Sequence, residues 1–147
     1  MIQQSLQRLE YLCEIIPPLL YAIDETTFNT KPRPEKWSKK QIIGHLIDSA
    51  SNNHHRFVRT QFEEIPYIRY DQDNWNAANY YQDIDGKQII GLWTAYNKQL
   101  AALIRRIPSD SLRRLCNTGG DNNHTLEFLI NDYVVHLEHH LHQVVDY

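Results

Sequence analysis

Eight histidines stand in this 147-residue chain, and four of them fall between His136 and His142. His136 and His140 are four residues apart. On an α-helix, which turns about 100° per residue, that spacing places two imidazoles one above the other on one face. Two such rings can point at one cation, which is why the spacing recurs in helical metal sites. Asp132 and Gln143 flank the pair on the same stripe, with Leu129 and Tyr133 beside it, so the setting is partly buried. His139 and His142 point elsewhere, and a merely solvated or hydrogen-bonded histidine cluster is the plainer alternative. A third ligand has to come from another helix. His45 is the best placed, because Asp48, Asn52 and Arg56 follow it at i+3, i+7 and i+11 in one polar stripe. The helical wheel sets His45 off the centre of the neighbouring apolar arc, which predicts a cleft between helices rather than a site deep in the core. The same stripe also reads as a solvated face. His54 falls within the apolar arc as a packing residue, His55 is expected outside, and His124 falls in a loop with no role.

The elements that must position these side chains are helical throughout. A first helix is predicted from about Ile2 to Ile16, with Leu6, Leu9, Cys13 and Ile16 at helical spacing. Pro17-Pro18 should interrupt it, leaving a short piece over Leu19–Ile23, and Asp24–Lys36 reads as a loop broken by Pro32 and Pro34. A second helix opens at Ser38, where Gln41 three residues on completes a capping box. Its apolar arc is Ile42, Ile43, Leu46, Ile47, Ala50, Phe57 and Val58, and it should end near Phe62. Ile65–Ile84 is a long connection rich in Tyr, Asp and Asn, with Trp75 at its middle; loops of that length are often lids or binding loops. A third helix starts at Asp85 with a second capping box at Gln88. It carries Ile89, Leu92, Trp93, Tyr96, Leu100, Leu103 and Ile107 inward and stops at Pro108. A helical turn near Ser111–Leu115 and a loop over Asn117–His124 precede the fourth helix, Thr125 to Val145. Its stripe is Leu126, Leu129, Ile130, Tyr133, Leu137, Leu141 and Val144. Strand-like alternation is essentially absent. The reading is a single all-α domain over residues 1–147, a four-helix bundle with a long loop after the second helix.

Composition narrows the function. Apolar residues make up 41% and charged residues 22%, which suits one globular core. A formal net charge of −3 argues against binding nucleic acid by neutralising phosphates. No apolar run reaches the roughly 18–20 residues that span a bilayer. The N-terminus, MIQQSLQRLEYL, lacks a basic start followed by an apolar stretch, so no secretory signal and no membrane partner are expected and the location is read as cytoplasmic. Cys13 and Cys116, both placed on apparent helices beside apolar residues, read as buried reduced thiols outside any CxxC pair.

Three blocks resemble the DinB-like superfamily, most closely its branch of YfiT-type proteins and bacillithiol S-transferases. The first is Lys36-Trp37-Ser38 followed by Gly44-His45-Leu46-Ile47-Asp48-Ser49, Asn52 and Arg56-Phe57. The second is Tyr67–Trp75. The third is His136-Leu137-Glu138-His139-His140. The resemblance runs from about Pro34 to the C-terminus. It implies a four-helix bundle, usually a homodimer, holding one divalent nickel or zinc ion with His45, His136 and His140. Ala50 departs from the pattern, since transferase relatives often carry a histidine there.

Three histidine ligands leave positions open for a small molecule, as in catalytic zinc sites. The leading reading implied by the resemblance is a thiol S-transferase, in which the metal activates a low-molecular-weight thiol for attack on an electrophile. Arg56 would pair with a carboxylate of the thiol, Asp48 would orient His45, and Asn52 and Trp75 would line the thiol site. The alternatives are a metal-dependent hydrolase, with Asp48 or Asp132 as general base, and a non-enzymatic metal-holding bundle.

Overall fold

The computed structural model describes residues 2–147. Four long helices form a four-helix bundle: α1 (Ile2–Tyr21), α3 (Lys39–Arg59), α5 (Gly86–Ile104) and α6 (Leu126–Leu141), with two short helices, α2 (Glu25–Asn29) and α4 (Gln72–Ala78), between them. α1 and α3 each pack on both α5 and α6, so they stand diagonally across the bundle. Polar ties set the order along the shared axis. Ser5 donates to Asn131 at 2.7 Å and Arg8 to Glu138 at 2.7 Å, so α1 and α6 run parallel. No described helix is long and apolar enough to cross a membrane.

Local chemistry explains the helix starts. Ser38 and Gln41 make the reciprocal capping box of α3. Asp85 accepts from the Gln88 backbone N–H at 3.2 Å, and Thr125 caps α6 by accepting from that of Phe128 at 3.1 Å. The predicted α6 stripe is buried from Leu126 to Val144, whereas Leu92 on α5 faces solvent.

Four expectations are corrected. α1 runs straight through Pro17 and Pro18 to Tyr21. Ile16 and Leu20, on either side of the prolines, are completely buried, so packing of the last turn outweighs two lost hydrogen bonds. The stretch Asp24–Lys36 contains α2, capped by Asp24, which accepts from Thr27 N at 2.8 Å. The region Leu115–Thr125 is a short antiparallel hairpin, β1 (Leu115–Asn117) with β2 (Asn123–Thr125), so Cys116 sits on a strand, though buried as expected, and His124 on its partner. The long connection after α3 is itself structured. It carries α4 and a 3₁₀ turn over Tyr81–Asp83, and Ile68 donates to Asn117 O at 2.8 Å, tying it to β1.

That connection lies on α3 at the turn that carries His45. Asn76 donates to Gln41 O at 2.9 Å, and the Tyr81 ring lies flat against Gly44. Any Cβ at position 44 would collide with that ring. Gly44→Ala should therefore lose about 1–3 kcal/mol by overpacking; an unchanged urea midpoint would show that the loop yields freely.

Candidate metal centre

α3 and α6 bring three imidazoles from two distant parts of the chain to one point. His45 Nε2 lies 3.2 Å from His136 Nε2, and the ring centroid of His140 is 4.7 Å from that of His45 and 4.6 Å from that of His136. One nitrogen from each ring falls in a set mutually within 4.8 Å, the one such group among the described residues. Nitrogens held at about 2.0–2.1 Å from one tetrahedral ion sit about 3.4 Å apart, so the closest pair is already at ligand spacing.

Burial sets their charge. The His45 pKa is lowered to about 3 by burial first and by His136 and His140 next. That of His136 falls to about 4 through burial and His140, with Asp132 pulling the other way. His140 is also lowered by burial, partly offset by its bond to Gln143. All three are neutral at pH 7, the form that offers a lone pair to a cation. Gln143 Oε1 lies 3.0 Å from His140 Nδ1 and suits an N–H there, which leaves Nε2 with the lone pair. His45 Nδ1 is buried with no hydrogen-bond partner. The residues fit a cation: three neutral imidazoles converge, no ion pair among the described residues involves them, and the one contact among the convergent nitrogens is that between His45 and His136 themselves.

The expectation of His45 at the margin of an open cleft is corrected, since it is completely buried. Asp48 and Asn52 are buried too, and the solvated-face reading of the stripe fails with them. The reason is cover that a helical wheel does not contain: Trp37 and the α6 histidines lie against His45, and Asn79 and Tyr81 lie against Asp48. Asp48 does not bond to His45. Its Oδ1 accepts from Tyr81 Oη at 2.6 Å and from Asn79 Nδ2 at 2.8 Å, and its Oδ2 is buried without a partner. Burial raises its pKa to about 6 against those two bonds. Asn52 donates to the Asp48 carbonyl at 2.9 Å. Arg56 donates through Nε and Nη2 to Ile68 O at 3.2 and 3.0 Å, with its guanidinium 5.9 Å from the Tyr70 ring centre. Trp75 sits edge-on to the same Tyr70 at 5.8 Å. Thus Arg56, Tyr70 and Trp75 form a chain of contacts anchoring the loop. Of the residues singled out in the sequence, His45, His136 and His140 converge, while Asp48, Asn52, Arg56 and Trp75 bond or pack elsewhere.

Sequence reading gave no role to Trp37, Asn79 or Tyr81. Trp37 stacks on His45 with ring centres 4.9 Å apart and planes tilted by 33°. An open cleft of ≈ 770 Å³ lies beside it, walled by Trp37, Ile42, Gln143, Gln72, Asp73 and the Pro32–Lys36 loop. Two of its walls, Trp37 and Gln143, are the residues that touch His45 and His140. Its size suits a small molecule.

These features define a class: a four-helix bundle with a three-histidine cluster, able to hold one cation, between its third and last helices. The chain belongs to the DinB superfamily, whose family model matches residues 2–144. It is similar to YfiT of Bacillus subtilis, which carries a provisional assignment as a metal-dependent hydrolase. The two are 26% identical over 149 residues, covering 98% of this chain and 84% of that one. A protein of Oceanobacillus iheyensis with the same provisional assignment is 25% identical over 141 residues, 95% of this chain and 81% of that one. The solved Bacillus subtilis YfiT structure, described as a four-helix bundle of unusual topology, superposes with a TM-score of 0.87 at 25% identity. The match covers 97% of this chain and 83% of that one. A mycothiol-dependent maleylpyruvate isomerase shares the fold, with a TM-score of 0.82 at 11% identity, over the whole of this chain and 62% of that one.

Proposed function

We propose that this chain is a metal-dependent enzyme of the DinB type, with His45, His136 and His140 holding one divalent ion and the adjoining cleft admitting a small substrate. The observation that carries the reading is the convergence of three neutral imidazoles beside that cleft. A zinc or nickel ion held there supplies Lewis acidity that lowers the pKa of a thiol or a water brought against it. The finer reading is thiol S-transfer: the sulfur of a low-molecular-weight thiol forms a new bond to an electrophilic carbon as the leaving group departs.

The geometry favours this over hydrolysis on one point. A hydrolase wants a general base within reach of the attacking water. Asp48 bonds to Tyr81 and Asn79 and to none of the three imidazoles, and its remaining oxygen is buried; Asp132, one turn before His136, is exposed. Thiol transfer needs no separate base, because a lowered thiol pKa already supplies the nucleophile. The names of the relatives favour hydrolysis, so both reactions belong in one test. The metal-loaded chain is incubated with a fluorogenic alkylating electrophile, with and without a small thiol, and separately with an activated ester. Thiol-dependent loss of the electrophile supports transfer, whereas ester cleavage without thiol replaces it with hydrolysis. Metal retention with no turnover of either would favour the non-enzymatic bundle.

In this scheme the N–H groups of Arg56 not given to Ile68 and Asn53 recognise a carboxylate of the thiol. Arg56→Lys, which loses the planar fork, should raise KM for the thiol more than it lowers kcat; equal KM values would remove Arg56 from recognition. A homodimer and a cytoplasmic location complete the proposal. Phe128 and Val135, exposed on the outer side of α6, offer apolar surface to a second copy, and light scattering at micromolar concentration tests this: a monomeric mass ends it.

A further inference from the structure

Within the three-histidine cluster the rings are held in different ways. A histidine that binds a metal through one nitrogen normally donates the other N–H to an acceptor, which fixes the tautomer and the ring's orientation. His140 follows this rule through Gln143. His45 does not: its Nδ1 is buried with no partner, and the one carboxylate a turn away, Asp48, faces Tyr81 and Asn79. Apart from the 3.2 Å contact of its Nε2 with His136 Nε2, the contact a bound ion would replace, no polar group fixes the rotation of the His45 ring about its Cβ–Cγ bond. What does cover the ring is the indole of Trp37, 4.9 Å away and tilted by 33°.

We propose that Trp37 is a positioning residue for the metal centre: stacked on His45, it holds that imidazole with Nε2 turned toward His136, in place of the missing hydrogen-bond acceptor. The inference rests on the metal-binding reading above. The platform is itself fixed. Trp37 directly precedes Ser38, whose hydroxyl caps α3 by accepting from Gln41 N at 3.1 Å and donates to Gln82 Oε1 at 2.5 Å, while Ser38 N donates to Gln41 Oε1 at 2.9 Å. The indole therefore hangs from the best-anchored point of the helix that carries His45. It also walls the cleft beside the cluster.

The test uses the full chain, stripped of metal and titrated with Ni²⁺ by calorimetry, as wild type, Trp37→Phe, Trp37→Leu and His45→Ala. Phenylalanine keeps a ring face and should bind close to wild type. Leucine keeps apolar bulk without the face and should bind about tenfold or more weakly, with helical circular dichroism unchanged. A structural role alone would not separate the two. Tryptophan fluorescence gives an independent signal. Ni²⁺ should quench the wild type, and Trp37→Phe should lose most of that quench, although Trp75 and Trp93 remain. Leucine binding like wild type, or phenylalanine weakening as much as leucine, overturns the proposal. If the leucine variant does not fold, the quench decides, and a quench unchanged in Trp37→Phe overturns it. A folded wild type that takes up no Ni²⁺ removes the metal reading itself, which is a different failure from Trp37 variants that bind normally.

Discussion

His45→Ala should abolish stable binding of a divalent ion, and His136→Ala and His140→Ala should do the same. Two remaining imidazoles leave an ion held mostly by water, so the loss should exceed the about 10–100-fold that outer-shell substitutions cause. His139→Ala and His142→Ala should retain metal. Both residues are exposed, and the His142 ring stacks on Tyr147 at 4.2 Å instead of joining the cluster. Two measurements check this: metal content after dialysis against a mild chelator, and melting temperature with and without the ion. At an ion concentration about 100 times Kd, binding adds about 2.7 kcal/mol, which raises the melting temperature of a domain this size by about 5–10 °C. That rise should vanish in the three cluster variants and persist in the other two. If His45→Ala keeps full occupancy while His139→Ala or His142→Ala loses it, the ligand set is wrong.

That prediction needed only the sequence, and the reason is local. The i, i+4 pair on α6 follows from helical geometry once the helix is recognised, and Ser38, Asp85 and Thr125 announce their helices by caps only three residues long. His45 was legible as a partner because a polar stripe on an otherwise apolar helix needs a reason. The burial of its stripe was not legible, since the cover comes from elsewhere in the chain: Trp37 and the α6 histidines against His45, and Asn79 and Tyr81, some 30 residues on, reaching Asp48. Nothing in the local pattern of Gln72–Asp83 says that it folds back on α3. The one trace it leaves is Gly44, a glycine inside a helix, where the Tyr81 ring needs the room. Pro17-Pro18 misled for the opposite reason: a strong local signal was outweighed by the burial of Ile16 and Leu20. The hairpin at Leu115–Thr125 has three residues per strand, too few to show alternation. Trp37 looked like part of a motif, and only the structure shows the imidazole it covers.

Acid should destabilise the metal-free chain steeply between about pH 6.5 and pH 4. His45 has its pKa lowered from 6.5 to about 3, and His136 to about 4, chiefly by burial. Between those values and 6.5 the unfolded chain holds protons that the folded chain does not. Stability therefore rises with pH across that window and is lost as pH falls through it. Asp48 acts with the opposite sign. Burial raises its pKa from 3.8 to about 6, so the folded chain holds the extra proton, and stability from this group falls as pH rises from about 4 to 6. His45 alone is displaced further than Asp48, and His136 and His140 add to it, so the histidines prevail and the net limb slopes down toward acid. Urea midpoints measured on the metal-free protein from pH 7.5 to pH 4 give the slope directly. Asp48→Asn separates the two contributions. Removing a buried carboxylate with one unpaired oxygen should raise stability at pH 7 by up to about 3 kcal/mol, and it should steepen the acid limb by deleting the opposing group. A metal-free wild type as stable at pH 4.5 as at pH 7 would mean that the three rings are solvated, not packed between α3 and α6. An Asp48→Asn variant less stable than wild type at pH 7 would mean that the bonds from Tyr81 and Asn79 outweigh the burial of the charge.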